Sequence, residues 1–563
     1  MARFLAALML LAQTAGQSGQ AAKAAIEGVV QHTATNAPIA GARVTLMRFI
    51  RVSNEFGGAE PASSAVTDAQ GHFQFPDLPE GAYALQVVLD GYIFLTETYL
   101  PPAGDQRASH IAFVALTGGR SITDIVFRAT PVGTIAGRIV NAAGQPVAGI
   151  AVEAFKHTYD ATGGRSFNSS GSATTNERGE FRVSVMPGRG YYVLARDSRT
   201  TNVPARYGGT IYPGVNDLAS ATPNDVNSGA TVLLKDLVVG PQRFYAIRGR
   251  VIDVETGRPP SDASVWITTT ALLGGETITA MPAYDPATGT FETRVGIGSY
   301  ALGASVPYRP EPPPAAGAPM LMPPTTAESL ITIANADVGD VVLRVVRPAV
   351  SIRGRLSLDR QPIASLPGWQ NIRVLLARSR NGVPVASISP APPPNLLVAP
   401  DGTFQVFGSM LGEFRLSVTG LPGDAFVQAA RFGGTDALQQ PLRILQPSSD
   451  VLDIVVNSAG GRIEGTVVTP DAAALARVEV VVVPDQRDRH DLFRAAAVDR
   501  DGRVTIRGLA PGGYSAFALS GLSSFEYFDP AVLARAERTG AGVKVQVTEA
   551  SVNKVEMSIV KLQ

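Results

Sequence analysis

One three-part phrase recurs five times along the chain, and that recurrence limits the fold more than any single residue does. The phrase opens with I-x-G-x-hydrophobic, at Ile26-Gly28-Val30, Ile135-Gly137-Ile139, Ile247-Gly249-Val251, Ile352-Gly354-Leu356 and Ile463-Gly465-Val467. Successive openings lie 109, 112, 105 and 111 residues apart. Midway through each copy a polar turn ends in Gly and runs into an apolar residue: Asp68, Gly71 and Phe73; Asn176, Gly179 and Phe181; Asp285, Gly289 and Phe291; Asp401, Gly402 and Phe404; Asp501, Gly502 and Val504. The third part is G-x-aromatic, read at Gly81 and Tyr83, Gly190 and Tyr192, Gly298 and Tyr300, Gly412 and Phe414, and Gly512 and Tyr514. Landmarks kept in order at this period, too long for a solenoid, predict tandem copies of one small globular domain. The expected division is a leader at residues 1–22 and units at 23–130, 131–243, 244–348, 349–459 and 460–563.

Within each copy the apolar positions alternate with period two, as at Val44 and Leu46, Ile150 and Val152, and Val478, Val480 and Val482, which reads as half-buried antiparallel strands. Gly and Pro, 57 and 41 residues of 563, punctuate them with turns and leave little room for helix. The predicted fold is all-β, a tandem array of five transthyretin-like antiparallel β-sandwiches. In the opening phrase the Gly shares the inward face with its flanking apolar residues; the aromatic of the third part is expected to fill the space it leaves. The turn Gly is expected at positive φ. Strand-like stretches at Ile122–Phe127, Val232–Val238, Val341–Val345, Asp450–Val455 and Val545–Val547 with Val555–Ile559 are expected to return as each sandwich's last strand. Leads such as Arg128–Pro131 and Arg347-Pro348 are too short for flexible linkers, so a stiff string of touching neighbours is expected. Residues Pro307 to Pro324 read as an extended loop. Ala205–Thr210 and Ala430–Thr435 share an A-R-aromatic-G-G-T sequence and read as loops built to one plan.

Lys+Arg and Asp+Glu balance at 48 each, so no long-range field draws in nucleic acid or an anionic membrane. Arg3 followed by the apolar run Phe4 to Ala12 and small residues reads as a secretory leader, too short to span a bilayer. No transmembrane anchor is expected. The absence of Cys excludes disulfides, thiol catalysis and lipoprotein attachment.

The phrases I-x-G-x-V, G-x-P-[VI]-x-G-A-x-V and D-x-x-G-x-F-x-F-x-x-L-x-x-G-x-Y resemble the carboxypeptidase regulatory-like domain, a transthyretin-like or Cna-B-like sandwich. Ile26, Gly28, Val30, Pro38, Gly41, Val44, Asp68, Gly71, Phe73, Phe75, Leu78, Gly81, Tyr83, Gly91 and Tyr92 carry it in the first copy. Gly144, Pro146, Val147, Gly149, Val152, Gly179 and Phe181 carry it in the second. The later copies keep the opening, turn and aromatic but lose most of the G-x-P phrase. The resemblance implies a binding or regulatory sandwich that accompanies peptidases, receptors, adhesins or carbohydrate-active enzymes.

Catalytic chemistry is not found. None of His32, His72, His110, His157 and His490 has a Glu three residues on, and no H-E-x-x-H occurs, so no zinc site is expected and surface or turn positions are. There is no G-x-S-x-G; Asn168 to Ser172 reads as a polar loop. Asp499 and Asp501 read as a turn rather than a calcium loop. With Lys only at 23, 156, 235, 544, 554 and 561, an array locked throughout by Lys–Asn isopeptide bonds is excluded. Trp266 and Trp369 are expected to pack at strand positions. Tyr207, Tyr212 and Phe432, in the Gly-Gly loops, are the candidate ligand contacts, although a structural role for that loop is favoured. The reading is a secreted or cell-surface, monomeric, non-enzymatic protein without cofactors, whose partner is an envelope protein or polysaccharide and which binds, adheres or spaces. The alternative is a carbohydrate- or peptide-binding accessory to a separate degradative enzyme.

Overall fold

The computed structural model describes the chain apart from residues 1–23, 53–54, 97–110, 118, 198–206, 217, 242, 270–276, 308–324, 346–350, 360, 381–382, 385–395, 408–411, 445–447, 470–473, 476–477 and 563. The leader, His110, most of the Pro-rich stretch and the Arg347-Pro348 lead lie outside the described residues. The chain divides into two compact bodies. One holds Met1–Gly137, Arg182–Arg189 and Asn224–Leu234; the other holds Arg138–Phe181, Gly190–Pro223 and Lys235–Gln563.

In the first body, opening strand Ala24–His32 buries alternate residues. It lies between His72–Leu78, antiparallel, and Ile122–Pro131, parallel. The facing sheet runs Glu55–Val66, Arg43–Val52, Gly81–Val88, Ile111–Leu116. Ile26, Phe73 and Phe127 of one sheet share a core with Leu46, Leu85 and Val114 of the other. Residues 134–136 and 231–233 of the second repeat pair here in parallel.

The second body repeats this plan. Tyr245–Asp253 lies between Thr290–Val295 and Val338–Val345. Ser351–Leu358 lies between Thr403–Phe407 and Val451–Asn457. Gly461–Val468 lies between Arg503–Leu509 and Val552–Lys561. In the second repeat, residues 139–141 run parallel to Leu237–Val239. The closing strand is thus present in every repeat and always parallel to the opening strand. The fold is all-β as expected, but the closing strand of each repeat adds parallel pairing to an otherwise antiparallel set, as two short stretches in the second repeat and with two partners in the fifth. The intervening chain passes through the facing sheet, and such a crossover lets the closing strand run in the same direction as the first. In the fifth repeat the closing strand also changes partner, joining residues 518–520 through Ile559–Lys561, so both sheets merge into one.

The first two landmarks are tied by one hydrogen bond repeated in all five copies. The N–H of Val30, Ile139, Val251, Leu356 and Val467 donates to the carbonyl of Gly71, Gly179, Gly289, Gly402 and Gly502, at 2.7–2.8 Å. Those glycines have φ from +72° to +84°, and a Cβ at Gly71 would stand 2.5 Å from the Val30 carbonyl oxygen. Asp68 Oδ1 and Asn176 Oδ1 each accept two backbone N–H groups of the turn. Asp499, not Asp501, does so in the fifth copy, accepting from Asp501 and Arg503.

The inward Gly is filled by a different aromatic from the one expected. Gly28, Gly249 and Gly354 lie directly across the strands from Phe73, Phe291 and Phe404. Their missing Cβ atoms would come within 2.6, 2.5 and 2.0 Å of the ring Cζ. The Phe after the polar turn therefore lies over the Gly, because cross-strand partners share a face. In the fifth copy Val504 and Met557 take that space.

The aromatic of the third part instead anchors its own corner. Tyr83, Tyr300 and Tyr514 are buried, and each hydroxyl donates to the carbonyl four residues upstream, on Pro79, Gly296 and Ala510, at 2.8, 3.0 and 2.9 Å. In the second copy the core residue is Tyr191, fully buried, and not Tyr192. Tyr191 stands four residues after Pro187 as Tyr83 stands four after Pro79, and Tyr192, the next residue along the strand, turns to the opposite face.

A helix, Pro530–Arg538, was not foreseen. Asp529 caps it by accepting the Ala531 N–H, and Pro530 opens it. It covers the outer face of Val478–Pro484, so Val481 and Val483 pack with Phe528, Val532 and Leu533 in a second core.

Two outcomes test this packing. Gly354→Ala is expected to cost about 2 kcal/mol by overpacking, and combining it with Phe404→Leu should recover at least half of that cost; additive losses in urea unfolding would disprove the cross-strand lock. In a fragment of residues 23–130, Tyr83→Ala should lose about 3 kcal/mol and Tyr83→Phe about 1 kcal/mol; an unchanged urea midpoint for the Ala variant would contradict the role of Tyr83.

Candidate functional site

The three ligand-contact candidates do not converge. Tyr207 forms a bridge with Pro241, while Phe432 ends strand Phe426–Phe432 and packs on the fourth repeat's core. Tyr212 is half-buried, its N–H donating to the Val193 carbonyl. The Gly-Gly loops follow one plan only in part. Both place an aromatic beside the closing strand, but Gly433 and Gly434 turn a hairpin, with Phe432 opposite Thr435. After Gly208 and Gly209 the chain instead pairs Thr210 and Ile211 with the Gly188–Asp197 strand.

That second-repeat loop covers an apolar cluster of Phe155, Phe167, Leu194 and Ile211, against which Tyr192, Val215 and Leu218 pack. Asn168 to Ser172 belongs to this layer: it lies in strand Arg165–Thr174, not in a loop, paired along Ile150–Tyr159. The pairing partner supplies the order that its composition withholds. Lys156 stands opposite Asn168, with its ammonium 5.6 Å from the Tyr191 ring centroid. The Asn168 amide donates to Thr158 and Ser166.

Trp266 is half-buried on its strand, its ring where a Cβ of Gly303 would be; Trp369 packs on the fourth core but starts a 3-10 turn rather than a strand. Of the histidines, His32 ends the opening strand and heads the turn after it, its Nδ1 accepting from Ala34 and Thr35, and His72 is exposed. His157 and His490 depart from the surface expectation. His157 packs edge-on against Phe167 and Tyr192 at ring distances of 4.7 and 5.9 Å. Burial, aided by Arg165, pulls its pKa down to about 4. His490 packs on Phe528 and Phe493 at 5.1 and 5.8 Å. Neither residue has a sequence signal, because the apolar partners come from distant parts of the chain.

Beside His490 a cleft of about 90 Å³ is lined by Thr162, Arg415, Ser417, Asp488, Asp491 and Arg494, among others. The volume is far below the roughly 300–1,000 Å³ of small-molecule sites and suits a few waters. Its wall is braced: Arg489 makes two 2.8 Å bonds to Asp491, and Arg494 Nη1 donates to the carbonyls of Asp491 and Phe493. A larger open groove, about 370 Å³, lies on the fourth repeat between Ala429, Arg431, Gly433, Val451, Asp453 and Val455. Phe432 is not in its lining, since alternate residues face opposite ways. Among the described residues no group of three His, Asp or Glu side chains is arranged to hold a metal, and no helix is long and apolar enough to cross a membrane.

Residues 25–112 match the family model of the carboxypeptidase regulatory-like domain. This is the stretch in which the resemblance is densest in sequence. No curated protein matches the chain. Among solved structures, the shaft pilin SpaA of Lactobacillus rhamnosus GG is 10% identical with TM-score 0.19, covering 39% of this chain and 98% of that one. The minor pilin GBS52 of Streptococcus agalactiae is 13% identical with TM-score 0.20, over 39% and 96%. The Bacillus anthracis TIE protein is 11% identical with TM-score 0.15, over 100% and 78%. At these scores the likenesses carry no argument about assembly or function.

His157 makes stability pH-dependent. Its pKa in the fold, about 4, lies below the ordinary value near 6.5. Its contribution is therefore complete above about pH 6.5 and is lost as pH falls through 4. The urea stability of the second body should drop by on the order of 2 kcal/mol between pH 7.5 and 4, and His157→Phe should remove most of that drop; an identical acid loss in the variant would place the effect elsewhere.

Proposed function

We propose that the chain is a secreted, non-enzymatic array of five sandwich domains, at 23–130, 131–243, 244–348, 349–459 and 460–563, that binds or spaces components of a bacterial cell envelope. The observation that carries this reading is that the recurrent residues are consumed by structure. The turn glycines close a backbone hydrogen bond, the Phe residues cover glycines, and the tyrosines hold corners. A repeated framework spent on its own geometry presents surfaces rather than a reacting centre. The regulatory-like domain at residues 25–112 and the leader pattern at 1–22 support an exported binding role.

The carbohydrate- or peptide-binding alternative draws its one support from the open groove beside Arg431 and Asp453. Tyr207, Tyr212 and Phe432, each half-buried, remain the contact residues proposed for it. Cell fractionation followed by N-terminal sequencing tests the export part: the mature chain should start near residue 23 and be recovered outside the cytoplasm, whereas cytosolic protein starting at Met1 would overturn it. Capture from envelope extracts, with a glycan panel and generic peptide and glycoside substrates in parallel, tests the rest. Turnover of any substrate would refute the non-enzymatic reading, and glycan binding abolished by Arg431→Ala would favour the alternative.

A further inference from the structure

Residues 160–164 form the tip of the hairpin between strands Ile150–Tyr159 and Arg165–Thr174. The tip is stiff. Asp160 Oδ1 accepts the N–H groups of Thr162 and Gly164, both at 2.8 Å, and the Thr162 hydroxyl at 2.7 Å. At its apex Gly163 has φ +78° and sits flat on the fifth repeat: a Cβ there would stand 2.3 Å from His490 Nδ1 and 3.1 Å from Phe528 Cδ1. Tyr159, at the base of the tip, packs 6.5 Å from Phe528. A residue of the second repeat is thus seated on the fifth within one compact body. These two repeats are not neighbours in sequence.

His490 Nδ1 is buried and makes no hydrogen bond. A neutral imidazole tolerates this arrangement, because one ring nitrogen carries no proton. An imidazolium does not: both nitrogens then carry N–H, and the Nδ1 proton would point at the Gly163 methylene without an acceptor. The charged groups around the ring are Asp160 from the tip, Asp488 and Asp491 from its own loop, and Arg415 from strand Gly412–Thr419, with Arg494 in the same cleft wall. The carboxylates favour protonation, while burial, the largest influence, and Arg415 oppose it; the pKa lies below the ordinary value.

We propose that the hairpin tip is an acid-released latch, held on the fifth repeat while His490 is neutral and expelled when the ring takes up a second proton. The sign follows from the depressed pKa: the docked state is fully favoured above about pH 6.5 and loses that advantage as pH falls through the folded value. Release would free the Tyr159 face and the Phe528 side of the aromatic cluster without unfolding either sandwich core.

Hydrogen exchange on the full chain, read as protection factors that divide out the intrinsic acid dependence, tests this. In the wild type, peptides covering 159–165 and 525–529 should lose at least tenfold protection between pH 7.5 and 4.5, while the strands at 247–251 and 463–467 stay protected. His490→Phe and His490→Gln should remain protected at pH 4.5, and Gly163→Val should show the released pattern already at pH 7.5. Undiminished protection of the wild type at pH 4.5 would overturn the proposal. So would the same acid loss in both His490 variants, which would place the trigger elsewhere, His157 included. Release of both variants at pH 7.5 would also overturn it, by showing the ring to act through shape alone.

Discussion

A single backbone hydrogen bond, from the last apolar residue of the opening strand to the carbonyl of the turn glycine, fixes the rest of each repeat. It aligns two strands whose side chains then have no freedom of register, because a slip by one residue would turn every inward side chain outward. With Val30 bonded to Gly71, Gly28 falls opposite Phe73; with Leu356 bonded to Gly402, Gly354 falls opposite Phe404. The glycine is required twice over, for its positive φ and because a Cβ would strike the opening strand's backbone carbonyl oxygen, which cannot move aside as a side chain can. The closing strand then adds to the free edge of the opening strand in parallel, and the core is complete.

Repeats one and two carry one device more. Thr67 and Thr175 are buried, and each hydroxyl donates to a carbonyl of the G-x-P phrase, on Ile39 and Val147 at 2.8 Å, while accepting the N–H of Ala42 and Ile150. A buried hydroxyl paired on both sides satisfies its own polarity and fixes the strand entry. This explains why the phrase reads clearly in the first two copies, which keep a Thr before the polar turn residue, and fades in the others.

The fold was legible where side-chain alternation and turn chemistry act locally. The strands around Val44, Ile150 and Val478, the turn glycines and most of the returning strands could be read from spacing; Val545–Val547 instead pairs antiparallel with residues 512–514, and the Val232–Val238 stretch is broken at 234–236. Three features escaped, each for its own reason. Gly28 is filled by Phe73 rather than Tyr83 because register, not residue type, chooses the neighbour. Asn168 to Ser172 is a strand because it lies along Ile150–Tyr159, despite a composition that favours loops. The helix Pro530–Arg538 did have a signal, an Asp-Pro start and a Thr539-Gly540 end, and the unbroken run Val480 to Val483 indicated a strand covered on both faces; the density of Gly and Pro elsewhere masked both.

The functional candidates were less legible, since aromatic residues near glycines serve packing and recognition alike. Tyr207, Tyr212 and Phe432 were singled out by loop position, yet both loops lead into a short strand, Thr435–Asp436 after the hairpin turn at Gly433 and Gly434 and Thr210–Ile211 against Gly188–Asp197. His157 and His490 had no motif, and both have lowered pKa values, because burial among Phe167, Tyr192, Phe493 and Phe528 removes the water that would solvate an imidazolium. A net charge of zero leaves this local desolvation without competition from a long-range field. In such a protein, contacts between repeats can respond to pH through one or two rings while the sandwich cores, built from hydrogen bonds and apolar packing that do not titrate near neutrality, stay as they are.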